Sequence, residues 1–223
     1  MAADVVGVLR QTKLLGSLSD DELEYVVASS RLRRFRRGQV ICTAGDPGDT
    51  LIVVVAGQVK VVVRSADGAE LTLAVAGPGT ALGEVSVADG GPRSADMETV
   101  GESQLLFIPR DIVQAVCARV PAAGQALTSA IAAMLRRLTE TTSDLVFLDL
   151  PRRVAKMLLS QPRGDDGVIA LHLTQEEYAR LLGSTRQSVN IALRGFERRG
   201  WIGLQDRSVT VTQPAALARF ADS

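Results

Sequence analysis

The stretch TQEEYARLLGSTRQSVNIALRGFERRG, residues 174–200, decides the reading of this chain. Thr174 is followed three residues later by Glu177, the spacing of a capping box, in which hydroxyl and carboxylate satisfy two orphan amides at a helix start. A short helix is predicted from there to Leu182. Gly183 then stands where helices end in the left-handed conformation. Ser184 and Gln187 repeat the capping spacing and open a second helix running to about Arg199. Two short helices joined by a tight glycine turn form a helix-turn-helix. Ala179 is small enough for a close helix crossing, and Val189 and Leu193 lock the second helix into a core. Beyond Gly200, residues 201–204 and 208–212 flank Gln205, Asp206 and Arg207, the pattern of a β-hairpin, the wing.

The second helix leaves Arg186, Gln187, Asn190 and Arg194 exposed. The start of a recognition helix reaches base edges in the major groove. Arg bonds guanine bidentately there, and Gln or Asn bonds adenine. With Thr174, Ser184, Thr185 and Ser188 at the helix starts, these make up the expected DNA-binding set. The alternative is a solvated polar face on a plain helical hairpin. Charge favours DNA. From Pro151 onward there are 11 Lys/Arg against 7 Asp/Glu, whereas the remainder has 14 against 18, although the 223 residues are neutral as a whole. A basic segment is what attraction to phosphates requires.

Working back toward the N-terminus, helical periodicity runs from about residue 123 to 148. Ile131, Leu138 and Leu145 fall at one heptad position, and Leu127, Met134, Thr141 and Leu148 at the other, the seam of a coiled-coil dimer. A helix packed on its own β-domain is the alternative. Asp149-Leu-Pro ends it, because proline disfavours helical geometry in the residue before it. A further amphipathic helix follows with Val154, Met157 and Leu158 on one face. A polar turn over 162–167 and a strand over 168–173 complete the approach to the helix-turn-helix.

Earlier still, short β-rich runs occupy 40–43, 50–56, 58–64, 70–76 and 104–109, separated by Gly/Asp/Pro turns. Many short strands with regular turns mean a sandwich, barrel or jelly roll. Residues 4–29 read as short helices, with Ser19 and Glu22 forming a capping box. No apolar run reaches the roughly 20 residues a membrane helix needs. No basic segment followed by an apolar core opens the chain, so a cytoplasmic location is expected, with Cys42 and Cys117 as reduced thiols.

At this point the sequence resembles the Crp/Fnr family of bacterial transcription regulators, closest to the actinobacterial cyclic-AMP receptor type. The resemblance is carried by AGDPGDTL at 44–51 with AGQVK at 56–60, by FLDLPRRVA at 147–155, and by LTQEE at 173–177 with GSTRQSVN at 183–190. It implies an α+β fold. Residues 1–122 would hold N-terminal helices and a cyclic-nucleotide-binding-like β-roll (jelly roll), 123–150 a dimerisation helix and hinge, and 151–223 a winged helix-turn-helix domain. It implies no cofactor, cyclic AMP as effector, a homodimer through 123–148, a pseudo-palindromic operator with half-sites of GTGA type, and RNA polymerase as a partner.

The ligand site of that family resembles Gly83 and Glu84 through Pro92, Arg93 and Ser94. A turn after Gly83 presents amides to an anion, Arg93 a positive fork and Ser94 a hydroxyl. Glu84 accepts from a ribose hydroxyl. The alternative is a β-turn with an Arg–Glu surface pair. The family's purine-bonding positions correspond to Leu138 and Thr139. Thr139 keeps a hydroxyl, whereas Leu138 cannot hydrogen-bond, which leaves ligand-free DNA binding open. Asp96-Met-Glu98 also departs from the family's Thr/Val-rich strand. Gln187 stands for an acidic residue, and Ile191 for a basic one. An enzyme is disfavoured: the only histidine is His172, outside the roll, and metal chemistry in a jelly roll needs several such ligands. Two scattered cysteines do not make an iron–sulfur site.

Overall fold

Ser19 begins the second of two short helices, α1 (Val5–Gln11) and α2 (Asp20–Ala28), and its capping box with Glu22 is complete. The computed structural model describes residues 4–161, 168–170, 175–205 and 208–222. They divide into two compact units, Met1–Arg137 and Leu138–Ser223.

In the first unit the chain continues through β1 (Arg31–Phe35), β2 (Val40–Cys42), β3 (Thr50–Ala56), β4 (Val59–Arg64), β5 (Glu70–Ala76) and β6 (Ala81–Leu82). Helix α3 (Glu84–Asp89), β7 (Asp96–Thr99), β8 (Ser103–Pro109) and α4 (Arg110–Arg119) follow, and α5 (Pro121–Phe147) runs on past Arg137 into the second unit. The strands form two antiparallel four-stranded sheets, β1-β8-β3-β6 and β2-β7-β4-β5. Ile52, Val54 and Leu105 from the first sheet meet Val59, Val61 and Met97 from the second inside the roll. The other face of the first sheet, with Leu51, Val53, Val55, Leu106 and Ile108, is covered by Leu9, Leu23, Val113 and Ala123. β3 is therefore buried on both faces, and its unbroken apolar run follows from that.

The acidic strand β7 has a local explanation. Arg64 pairs with Asp96, with Glu70 at 2.8 Å and with Glu98 at 3.0 Å, and Lys60 bonds Glu70 at 2.9 Å. Asp96 also accepts the Ala44 amide at 2.7 Å. Lys60 stands opposite Glu98 in the β4–β7 register, and Arg64 opposite Glu70 across β4–β5. Basic residues on β4 thus compensate the carboxylates of β5 and β7 on either side.

In the second unit, Asp149 does more than end the long helix. Its carboxylate accepts the Arg152 amide at 3.0 Å and caps α6 (Leu150–Ser160), with Pro151 in the first turn, where a missing N–H costs nothing. Then come β9 (Val168–Ala170), α7 (Gln175–Leu181), α8 (Arg186–Arg198), β10 (Ile202–Gln205), β11 (Ser208–Val211) and α9 (Pro214–Asp222). The three strands make an antiparallel sheet, β10-β11-β9. Val154, Leu158, Ala179, Val189, Leu193, Phe196 and Leu217 share its core. The turn read at 162–167, the strand residues 171–173 including His172, Thr174, and the wing residues Asp206 and Arg207 lie outside the described residues.

Candidate functional site

In the first unit, Gly83 and Arg93 are brought into direct contact. Gly83 caps α3 in the left-handed conformation, φ 85°, which favours glycine. Arg93 is only 4% exposed. Its Nη2 donates to the Thr50 carbonyl and to the Thr50 hydroxyl, both at 2.8 Å. Its Nε and Nη1 are buried and have no hydrogen-bond partner among the described residues. A buried guanidinium normally meets a carboxylate or a full set of acceptors, because an unpaired buried charge is expensive. This one keeps two N–H-bearing nitrogens unspent, the chemistry that fits an anion.

The surrounding backbone is tied in place. The Arg93 amide donates to Asp46 O at 2.8 Å and the Gly45 amide to Arg93 O at 2.9 Å, joining the 44–49 turn to the segment that carries Arg93. The buried Ser86 hydroxyl donates to Pro92 O at 3.0 Å. Arg110 Nε donates to Val87 O at 2.9 Å, bracing α3 from behind. Glu84 is half-buried at the first position of α3. Burial pushes its carboxyl above the usual range, opposed by its own amide and the Arg137 charge. Ser94 is exposed directly after Arg93. Thr50, which anchors the guanidinium, escaped the sequence reading; it opens β3 just after the Gly-Asp turn, where its hydroxyl gives no signal of its partner. Leu138 and Thr139 lie on α5, Leu138 half-buried and Thr139 exposed.

In the second unit, the helix-turn-helix closes through Gly183, φ 60°. The Ser184 amide donates to Ala179 O at 2.9 Å and the Gly183 amide to Arg180 O at 3.3 Å, a Schellman closure of α7. The Ser184 backbone belongs to that closure, and the cap expected at Ser184 is corrected by one residue. Thr185 is the N-cap of α8, its hydroxyl accepting the Ser188 amide at 3.3 Å. Gln187 consequently has no part in a capping box. Arg186, Gln187 and Arg194 are exposed, while Asn190 and Ser188 are half-buried. With Gln175 and Ile191, four of these residues — Arg186, Gln187, Asn190 and Arg194 — line an open groove of about 680 Å³. Gln175 was absent from the expected set. Its Oε1 accepts from Asn190 Nδ2 at 3.0 Å and from Arg186 Nε at 3.3 Å, so it holds both side chains from α7.

A roll with an unspent buried arginine and a winged helix-turn-helix in one chain define a sensor joined to a DNA reader. Known proteins agree. Residues 32–120 match the cyclic nucleotide-binding domain, and residues 152–220 the Crp-like helix-turn-helix domain. The chain is 39% identical over 193 residues to the CRP-like cAMP-activated global transcriptional regulator of Mycobacterium tuberculosis, covering 84% of this chain and 86% of that one. It is 30% identical over 213 residues to the cyclic AMP receptor protein of Thermus thermophilus, covering 96% and 98%. Among solved structures, a CooA variant from Carboxydothermus hydrogenoformans superposes with a TM-score of 0.81 at 23% identity, over 94% of this chain and 96% of that one. The chain belongs to the Crp/Fnr family of transcription regulators. It is a DNA-binding regulator and not an enzyme, and its roll supports a cyclic nucleotide as effector. No helix among the described residues is long and apolar enough to cross a membrane.

Proposed function

We propose that this chain is a cytoplasmic, homodimeric regulator whose effector is cyclic AMP, held by Gly83, Glu84, Arg93 and Ser94. The observation that carries the reading is Arg93: buried, anchored on Thr50, with Nε and Nη1 unspent. A cyclic phosphate supplies the missing charge and acceptors. Leu138 and Thr139 enter by family resemblance as the purine-facing positions. Dimerisation through 123–148 is supported by seam side chains that the single chain leaves uncovered: Leu145 is exposed, and Ile131, Met134 and Leu138 are only half-buried. Arg186, Gln187, Asn190 and Arg194 read a pseudo-palindromic operator with half-sites of GTGA type, relaxed opposite Gln187, and Thr174, Ser184, Thr185 and Ser188 complete the DNA-binding set. Effector binding shifts the population of α5 and the Asp149–Pro151 hinge between two arrangements, setting the two α8 helices about 34 Å apart. RNA polymerase is the partner through which DNA binding acts.

Calorimetric titration with cyclic AMP and cyclic GMP, on wild type and Arg93→Ala, tests the effector. Heat with wild type and none with the variant is expected. A second reading, DNA binding without a cyclic nucleotide, is favoured by Leu138, which offers a purine edge no hydrogen bond. It stands if neither protein gives heat and wild type still binds its operator.

A further inference from the structure

We propose that Ile191 reads a thymine methyl group in each operator half-site. The proposal rests on the assignment of α8 to the major groove.

Residues 187, 190, 191 and 194 lie three and four positions apart, on one face of a helix. The helix's other apolar side chains, Val189, Ala192, Leu193 and Phe196, are buried in the domain core. Ile191 is 63% exposed and belongs to no core cluster among the described residues. It stands instead in the groove lined by Gln175, Arg186, Gln187, Asn190 and Arg194. Every one of those neighbours carries hydrogen-bonding atoms. Ile191 alone has none, and it sits among the groups best placed to meet bases.

The chemistry of the major groove narrows what such a side chain can meet. Guanine, cytosine and adenine present donors and acceptors, whereas thymine adds a C5 methyl. An isoleucine against cytosine N4 would leave a buried donor unpaired. Against thymine it buries apolar surface on both sides. A β-branched side chain on a helix has one dominant χ1 rotamer, so Ile191 presents a fixed surface and loses little freedom on contact. Burying one methyl-sized group changes an equilibrium constant by about fourfold, so two half-sites together give about 15-fold.

The test uses full-length dimer and a duplex operator obtained by selection, titrated at fixed salt. Each thymine is replaced by deoxyuridine at the equivalent position in both half-sites, which removes only the methyl. The expected result is one position where uracil weakens wild type about 15-fold and leaves Ile191→Ala unaffected. Gln187→Ala keeps that uracil penalty. Helical circular dichroism shows that Ile191→Ala is folded, as alanine is the strongest helix former. Uracil tolerance at every thymine overturns the proposal, as does an Ile191→Ala protein that keeps the penalty. A wild-type protein that selects no sequence over random DNA overturns the α8 assignment itself, a separate failure.

Discussion

Arg93 Nη1 lies 2.1 Å from where a Cβ on Gly83 would stand, and the Thr50 carbonyl lies 3.3 Å from the same point. The guanidinium therefore occupies space that only glycine leaves open. A Gly83→Ala substitution moves Arg93 off Thr50 and places alanine at φ 85°, a left-handed conformation costing about 1–2 kcal/mol. Cyclic-nucleotide affinity should fall at least about tenfold, a loss of some 1.4 kcal/mol. Calorimetry measures the first effect and denaturant melts the second. Wild-type affinity in the variant would show that the contact does not organise the site.

Arg93→Met separates the cost of the arginine from its use. Without ligand, Nε and Nη1 are buried and unpaired among the described residues, so the methionine variant should melt no lower than wild type. Cyclic AMP at about 100 times its dissociation constant should stabilise wild type by about 2.7 kcal/mol and the variant not at all. A ligand-free variant that melts well below wild type would mean that Arg93 is a structural anchor first.

How far the sequence was legible depended on local signals. Strands β3 and β5 match their expected bounds of 50–56 and 70–76, because turns with glycine bracket apolar runs. β1 was missed: in RLRRF only Phe35 is buried, at the edge of its sheet, so no alternation marks it. α4 was missed because Pro109 gives it no side-chain cap and it follows β8 directly. The short α3 reads in sequence as a turn. At the site, Gly83 and Arg93 could be named from their motif. The partner that holds the guanidinium, Thr50, is 43 positions away from Arg93, and only folding pairs them. The cap of α8 was misplaced by one residue because Ser184 has Gln187 at the capping-box spacing, whereas Thr185, the actual cap, has no such partner. The Schellman closure of α7 takes the Ser184 amide.

The network on β4, β5 and β7 supports a stability prediction. Lys60 and Glu70 are nearly fully buried and 2.9 Å apart. Lys60→Met removes one of the two cations that Glu70 and Glu98 both meet, Arg64 being the other. Removing one partner of a buried ion pair costs about 3–5 kcal/mol. Urea denaturation of the variant should show a loss at the lower end of that range, since Arg64 remains. A loss under about 1 kcal/mol would place this cluster with ordinary surface pairs.

Glu84 predicts a pH dependence. Its folded pKa is raised above 4.5, chiefly by burial, so the folded state binds more protons than the unfolded state across the window above that value. Stability contributed by this group is present below the unfolded pKa and is lost as pH rises through the folded pKa. Glu84→Gln should flatten that slope and be more stable than wild type at pH 7 without ligand. Thermal melts of both proteins across the window check it. Parallel pH profiles would show that Glu84 ionises without cost.

Gln175 is the residue most easily mistaken for solvent-facing surface. It holds Arg186 through Nε and Asn190 through Nδ2, leaving the Arg186 terminal nitrogens and the Asn190 carbonyl free to face bases. Gln175→Ala releases both. A neutral hydrogen bond contributes about 1 kcal/mol, so affinity for the operator should fall about fivefold. Arg186→Ala, which removes the reader itself, should cost about 1–3 kcal/mol of specific binding. Gln175 is uncharged, so the alanine variant should keep the wild-type salt dependence and its affinity for random DNA. Gln175→Glu should bind less well than Gln175→Ala, because a carboxylate would hold Arg186 as an ion pair and repel phosphates. Salt-controlled titrations on operator and random duplexes distinguish these outcomes. Equal loss on both duplexes would make Gln175 a backbone contact, whereas loss on the operator alone makes it the residue that positions Arg186 and Asn190.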